Sequence, residues 1–138
     1  MINKFDGEYQ WLSNFYDCPI EFDGLTYKNS EAAYQAQKTL DHNIRKTFTN
    51  MSALESKRAG KKLKLRPNWE EIKIGYMRLI IHKKFRQNED LKQKLIQTGN
   101  QELIEGNYWH DCFWGVCNGI GENWLGKILM EERDYWIK

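Results

Sequence analysis

A chain of 138 residues can bury one hydrophobic core and is too short for two comfortable domains, so a single unit over 1–138 is expected. Hydrophobic residues make up 41% and charged residues 29%, with six Trp, a composition that excludes a disordered chain; no apolar run approaches the roughly 20 residues needed to cross a bilayer. The formal charge of +2 gives little global field, so attraction to nucleic acid must come from local clusters of cations.

Cys18, Cys112 and Cys117 form an odd set without a disulfide-rich spacing, and the N-terminus from Met1 to Glu8 lacks the apolar stretch of a signal peptide. Both features point to a soluble protein of the reducing cytoplasm. The first elements read as a hairpin, Pro19–Phe22 and Leu25–Tyr27, turning at Asp23-Gly24, a pair that tolerates positive φ. Asn29 or Ser30 then offers a side-chain oxygen to cap a helix over about Glu31 to Leu40. Ser52, three residues before Glu55, announces a short helix closing near Gly60.

The longest helix is expected from Asn68, with Glu71 three residues on and Ile72, Tyr76, Leu79 and Ile80 at helical spacing; Met77, Ile81 and Phe85 widen that stripe. Leu91, Leu95 and Ile96 before Gly99 give another short helix. Leu103 to Glu105 reads as a brief strand, 106–121 as loop, and Leu125 to Tyr135 as a terminal helix facing inward through Ile128 and Leu129. The class is α+β, mostly helical, with a small β component.

Several residues stand out chemically. Continued as a helix, Glu31, Tyr34, Gln35 and Lys38 fall at i, i+3, i+4 and i+7, which sets an acid and an amine on one face where both can address one ligand. The same spacing also describes an ordinary solvated helix side. Gly115, Gly119, Gly121 and Gly126 cluster before a helix N-terminus, as a phosphate cradle would require, or as a connection built for turning would. A dinucleotide fingerprint is excluded because its register fails at Trp124.

Trp69, Trp109 and Trp114 adjoin polar, turn-forming residues and are candidates for stacking on a base, although packing is the usual work of Trp. Glu105, Asp111 and Glu122 stand near the loops. His110, Cys112 and Cys117 lack a fourth ligand at finger-like spacing, so no metal is expected and the cysteines read as structural. Lys57, Arg58, Lys61, Lys62, Lys64 and Arg66 crowd one stretch that could touch a phosphate backbone or simply face water.

The order of these segments resembles the NADAR domain family of YbiA-like N-glycosidases and ADP-ribosyl-guanine hydrolases. The resemblance rests on the run from Gly7 through Leu12-Ser-Asn-Phe15, on Ser30-Glu31 through Tyr34-Gln35-Ala36 to Lys38, and on Arg66-Pro-Asn-Trp69. It continues through Lys84-Phe85, Leu95 to Gly99, Leu103-Ile-Glu105, Asp111 with Trp114-Gly115, and Gly121 to Gly126 followed by Leu129-Met130 and Arg133. It implies a single compact α+β domain that hydrolyses the bond between a ribose carbon and a nitrogen without a cofactor. The implied substrate is an ADP-ribose-like nucleotide, including ADP-ribosylated guanine in DNA, or a phosphorylated riboflavin-pathway intermediate; no membrane or obligate protein partner is implied.

By position, Glu31, Lys38, Glu105 and Asp111 become catalytic candidates, with Asn14, Phe15, Tyr34, Trp69, Trp114, Gly115, Asn123 and Gly126 shaping the substrate pocket. Two mechanisms stay open: water activated by a carboxylate, Glu31 or Asp111, or attack by a neutral Lys38 amine that opens a Schiff base. Val116-Cys117-Asn118 departs from the family's usual loop, which bears on the leaving group more than on the reaction. A module that binds ADP-ribose without turnover is the rival class.

Overall fold

Asp23 and Gly24 take left-handed backbone angles, φ 51° and 85°, and close an antiparallel hairpin between β1 (Asp17–Phe22) and β2 (Leu25–Asn29). The computed structural model describes residues 1–138. Cys18, Ile20 and Phe22 alternate inward along β1, and Pro19 sits outward where the register shifts, a position that spares the ladder a missing donor.

Helix α1 (Ser30–Ala36) begins as expected, its first turn capped by the Asn29 side chain accepting from the Ala32 N–H at 2.8 Å. It ends four residues before Leu40. The Gln37 side chain donates to the Ala33 carbonyl at 3.0 Å and so occupies the acceptor that the Gln37 N–H would use in a continuing helix. That N–H goes instead to Tyr34, and the Lys38 N–H to Gln35, so the last turn tightens and the chain leaves.

Helix α2 (His42–Thr47) is capped by Asp41, and α3 (Ala53–Gly60) carries the expected reciprocal bonds between Ser52 and Glu55. Helix α4 (Trp69–Gln87) starts where expected but without the capping pair: Asn68 is left-handed, φ 61°, and its side chain makes no cap bond, because that bond needs an extended backbone. Its buried face is Trp69, Met77, Ile80, Ile81, Lys84 and Phe85; Leu79, assigned to the stripe from sequence, is 54% exposed. Two positions past Met77 lies about 200° around a helix, on the opposite side.

Contacts cluster in two compact units, Asn14–Asn88 and a discontinuous one joining Met1–Ser13 to Glu89–Lys138. The first holds the hairpin and α1 to α4. In the second, α5 (Glu89–Gln97) and α6 (Trp124–Ile137) pack together and bury Leu91, Leu95, Leu125, Ile128 and Leu129. The strand expected at 103–105 shrinks to one bridge between Ile2 and Leu103. The Asn123 side chain accounts for this, accepting from the Glu105 N–H and donating to the Leu103 carbonyl, both at 2.9 Å, and so replacing ladder partners. The strands proper lie further on, β3 (Gly106–Asn107) parallel to β4 (Val116–Cys117). No helix is long and apolar enough to cross a membrane.

Candidate functional site

In the Asn14–Asn88 unit the site candidates gather at both ends of α1. Buried Asn14 fastens the first turn: its carbonyl accepts from the Glu31 N–H at 3.0 Å, and its side-chain oxygen accepts from the Ser30 hydroxyl at 2.9 Å. Glu31, itself buried, has its carboxylate held by the Gln35 amide at 2.7 Å. The other end of that amide, Gln35 Oε1, is buried without a hydrogen-bond partner and lies against Gly60, where an added Cβ would come within 1.9 Å of it. Gly60 is therefore what lets α3 approach the Glu31–Gln35 pair.

Lys38 sits just past the helix in the tightened turn, not on the helix face that its spacing suggested. Its half-buried ammonium lies 6.0 Å from the centre of the Tyr34 ring. Burial lowers its pKa below 10.5; among nearby charges Glu31 opposes that most, followed by Lys73, which assists it, Glu70, which opposes it, and Lys61, which assists it. Trp69 is 3% exposed, with Tyr34 at 5.4 Å and Tyr76 at 6.0 Å from its ring, so it backs this turn as packing and presents no open face for a base. Phe15 is exposed at 44%, with the Lys57 ammonium 5.9 Å from its ring.

In the Met1–Ser13 and Glu89–Lys138 unit, Glu105 lines a cavity of about 650 Å³ with Lys4, Phe5, Asn107 and Trp109 among its walls. A Cβ on Gly115 would fall 1.7 Å from the Glu105 carboxylate, and one on Gly126 would strike the Leu103 carbonyl and the Asn123 amide. Both glycines make room for the segment carrying Glu105. Asp111 is engaged structurally: one carboxylate oxygen accepts from the N–H groups of Phe113 (3.1 Å) and Trp114 (2.9 Å).

Three of the donors expected in a phosphate cradle are engaged within the protein. The N–H groups of Asn123, Trp124 and Leu125 at the start of α6 donate to the carbonyls of Gly115, Phe113 and Trp114, so these donors are already spent. Gly121 serves the same close approach, since a Cβ there would stand 2.2 Å from the Gly115 carbonyl. Trp109 is 47% exposed and meets Tyr108 edge to face at 5.2 Å. His110 reaches Cys117 at 3.9 Å, and no group of three or more His, Cys, Asp or Glu gathers to hold a metal.

The NADAR domain matches residues 2–136. The chain belongs to the NADAR family. The N-glycosidase YbiA of Shigella boydii is 38% identical over 131 residues, covering 92% of this chain and 81% of that protein. A riboflavin biosynthesis protein of Vibrio vulnificus is 37% identical over 133 residues, 94% of this chain but 36% of that longer one. The NMR structure of Escherichia coli YbiA matches with a TM-score of 0.86 at 34% identity, over 99% of this chain and 87% of that one.

Within this NADAR chain, sequence reasoning missed Asn107. Its amide donates to the Glu105 carboxylate at 3.0 Å and to the Asp111 carbonyl at 2.9 Å, tying the two acid-bearing segments together. In the sequence Gly106-Asn107 reads only as a turn, and nothing in its composition marks the bridging role.

Proposed function

We propose that this protein is an N-glycosidase that hydrolyses the ribose C1′–N bond of an ADP-ribose-like nucleotide, with ADP-ribosylated guanine in nucleic acid as its substrate. The observation that carries the reading is Lys38, an amine whose proton affinity is reduced by burial and whose strongest charged neighbour is Glu31, in a chain similar to proteins named N-glycosidase. A neutral Lys38 amine attacks C1′, and the C1′–N bond breaks with its electron pair leaving on the base, which then takes a proton. Ring opening gives a Schiff base that water hydrolyses, returning the amine and free sugar. Glu31, fixed by Gln35, is the carboxylate suited to stabilise positive charge on the sugar and to exchange the proton.

A second reading, cleavage of phosphorylated riboflavin-pathway intermediates, rests on the name of the Vibrio relative. A reducing compartment suits the three free cysteines, one of which is exposed.

Incubation with an oligonucleotide carrying ADP-ribosylated guanine, with NAD and with riboflavin-pathway intermediates, followed by mass spectrometry, names the substrate by the released base and sugar. Lys38→Ala and Glu31→Ala are each expected to abolish release while circular dichroism stays native. Borohydride should trap a covalent adduct on Lys38 during turnover. Full activity in both variants would remove this site; turnover without an adduct would shift the mechanism to carboxylate-activated water.

A further inference from the structure

We infer that Arg66 is a positioning residue for Lys38, closing a ring of contacts that fixes the amine from both its backbone and its side-chain end. Sequence reasoning grouped Arg66 with the cations of 57–66 as a possible phosphate contact, but its backbone N–H and its Nη1 are bonded within the protein. The Arg66 backbone N–H donates to the Lys38 carbonyl at 2.8 Å. Its guanidinium donates from one Nη1 to the Gln37 carbonyl at 3.4 Å and to the Tyr76 hydroxyl at 3.1 Å, and lies 5.1 Å from the centre of the Tyr76 ring.

From Tyr76 the contacts return to the amine. Tyr76 lies against Trp69 at 6.0 Å, Trp69 against Tyr34 at 5.4 Å, and the Lys38 ammonium sits 6.0 Å from the Tyr34 ring. Arg66 touches both the aromatic stack, at Tyr76, and the 37–38 turn, at the carbonyls of Gln37 and Lys38. The turn gains from such a tether because α1 has already ended: the N–H groups of Gln37 and Lys38 still bond to the Tyr34 and Gln35 carbonyls, but past Ala36 the Lys38 carbonyl is held by Arg66 and no longer by a helical partner. Backbone placement of a reacting group matters steeply, a displacement of about 1 Å costing on the order of a hundredfold in rate.

Arg66 acts through geometry. The charges that set the Lys38 acidity are those of Glu31, Glu70, Lys73 and Lys61, after burial itself. Loosening the turn lets the ammonium reach water, which removes the burial effect and returns its pKa toward 10.5.

This inference rests on Lys38 being the reacting amine, and its test separates the two. Reductive methylation of the full chain with ¹³C-formaldehyde, followed by NMR titration, reads the Lys38 pKa without any substrate. Release of ADP-ribose from the modified oligonucleotide then gives kcat and KM. In Arg66→Ala the Lys38 resonance is expected to titrate at higher pH than in wild type, and kcat to fall about tenfold with KM within about twofold, since transition-state placement alone is lost.

Arg66→Lys keeps a cation beside the Tyr76 ring and should recover part of kcat; Tyr76→Phe, which keeps the stack and removes one acceptor, should fall between. These two milder variants decide the matter if the alanine chain does not fold. An unmoved Lys38 titration with unchanged kcat in Arg66→Ala, or in both milder variants, overturns the inference. Loss of melting temperature alone, with the titration and kcat unmoved, also overturns it and leaves Arg66 as packing. If Lys38→Ala itself keeps full activity, the proposed function fails at this site whatever Arg66 does to the titration.

Discussion

Lys84 has no exposed surface, although every other residue of the buried α4 face is apolar or aromatic: Trp69, Met77, Ile80, Ile81 and Phe85. Burial lowers its pKa from 10.5 to about 8, with Cys18 on β1 acting the other way. An ammonium without water around it is disfavoured, so folding opposes protonation. The unfolded chain binds the proton more tightly, and stability must therefore rise with pH between about 8 and 10.5, the penalty being complete below that window and gone above it. A separation of that size corresponds to roughly 3 kcal/mol. Urea denaturation across pH 7.5 to 10.5, a window spanning roughly both pKa values, should show that climb, and Lys84→Met should flatten it; a wild-type profile already flat would show that Lys84 carries no such penalty. Its core position was legible only in part: 77, 80, 81 and 84 share one helical stripe, but a lysine in a stripe reads as its edge until burial is known.

Between elements, the contact that decides how α1 presents Glu31 is its packing on α3 at Gly60. Gly60→Ala sets two effects against each other. Alanine is the better helix former by about 1 kcal/mol, whereas its Cβ would meet Gln35 at 1.9 Å and force the amide off the Glu31 carboxylate. The displaced group is the end of a flexible side chain, so the fold should survive with a melting temperature within a few degrees of wild type. Activity should fall well below it, because Glu31 loses the Gln35 amide that holds its carboxylate. Equal activity in Gly60→Ala would mean that Gln35 does not orient Glu31. At this scale the hairpin, the Ser52–Glu55 box and the terminal helix were all legible, since each is written in residues close in the chain. The early end of α1 was not, because it depends on one glutamine side chain taking a carbonyl, a choice that periodicity does not encode.

Across the whole molecule, the second unit is assembled from both ends of the sequence, Met1–Ser13 with Glu89–Lys138. Such pairing is non-local: Ile2 bonds to Glu102 and Ile104, about a hundred positions away. Local pattern therefore suggested a strand at 103–105 and a phosphate cradle at 115–126, while Asn123 had already taken the Glu105 N–H and the Leu103 carbonyl, and the carbonyls of 113–115 the N–H groups of 123–125. The same distinction between engaged and exposed groups sorts the basic stretch. Lys57 lies beside Phe15 and the Arg66 Nη1 is bonded to the Tyr76 hydroxyl, which leaves Arg58, Lys62 and Lys64 as exposed cations there outside the Lys38 surroundings. With a net charge of only +2, any salt-sensitive affinity for a modified oligonucleotide must come from such local cations. Each single-stranded phosphate contact contributes about 0.7 to the slope of log affinity against log salt. Lys62→Gln with Lys64→Gln should therefore make the salt dependence of kcat/KM on the oligonucleotide shallower by about 1.4 if each residue contacts one phosphate. Turnover of a mononucleotide-sized substrate, which has no flanking phosphates to reach them, should be unchanged. An identical slope in wild type and the double variant would assign these lysines to solvation alone.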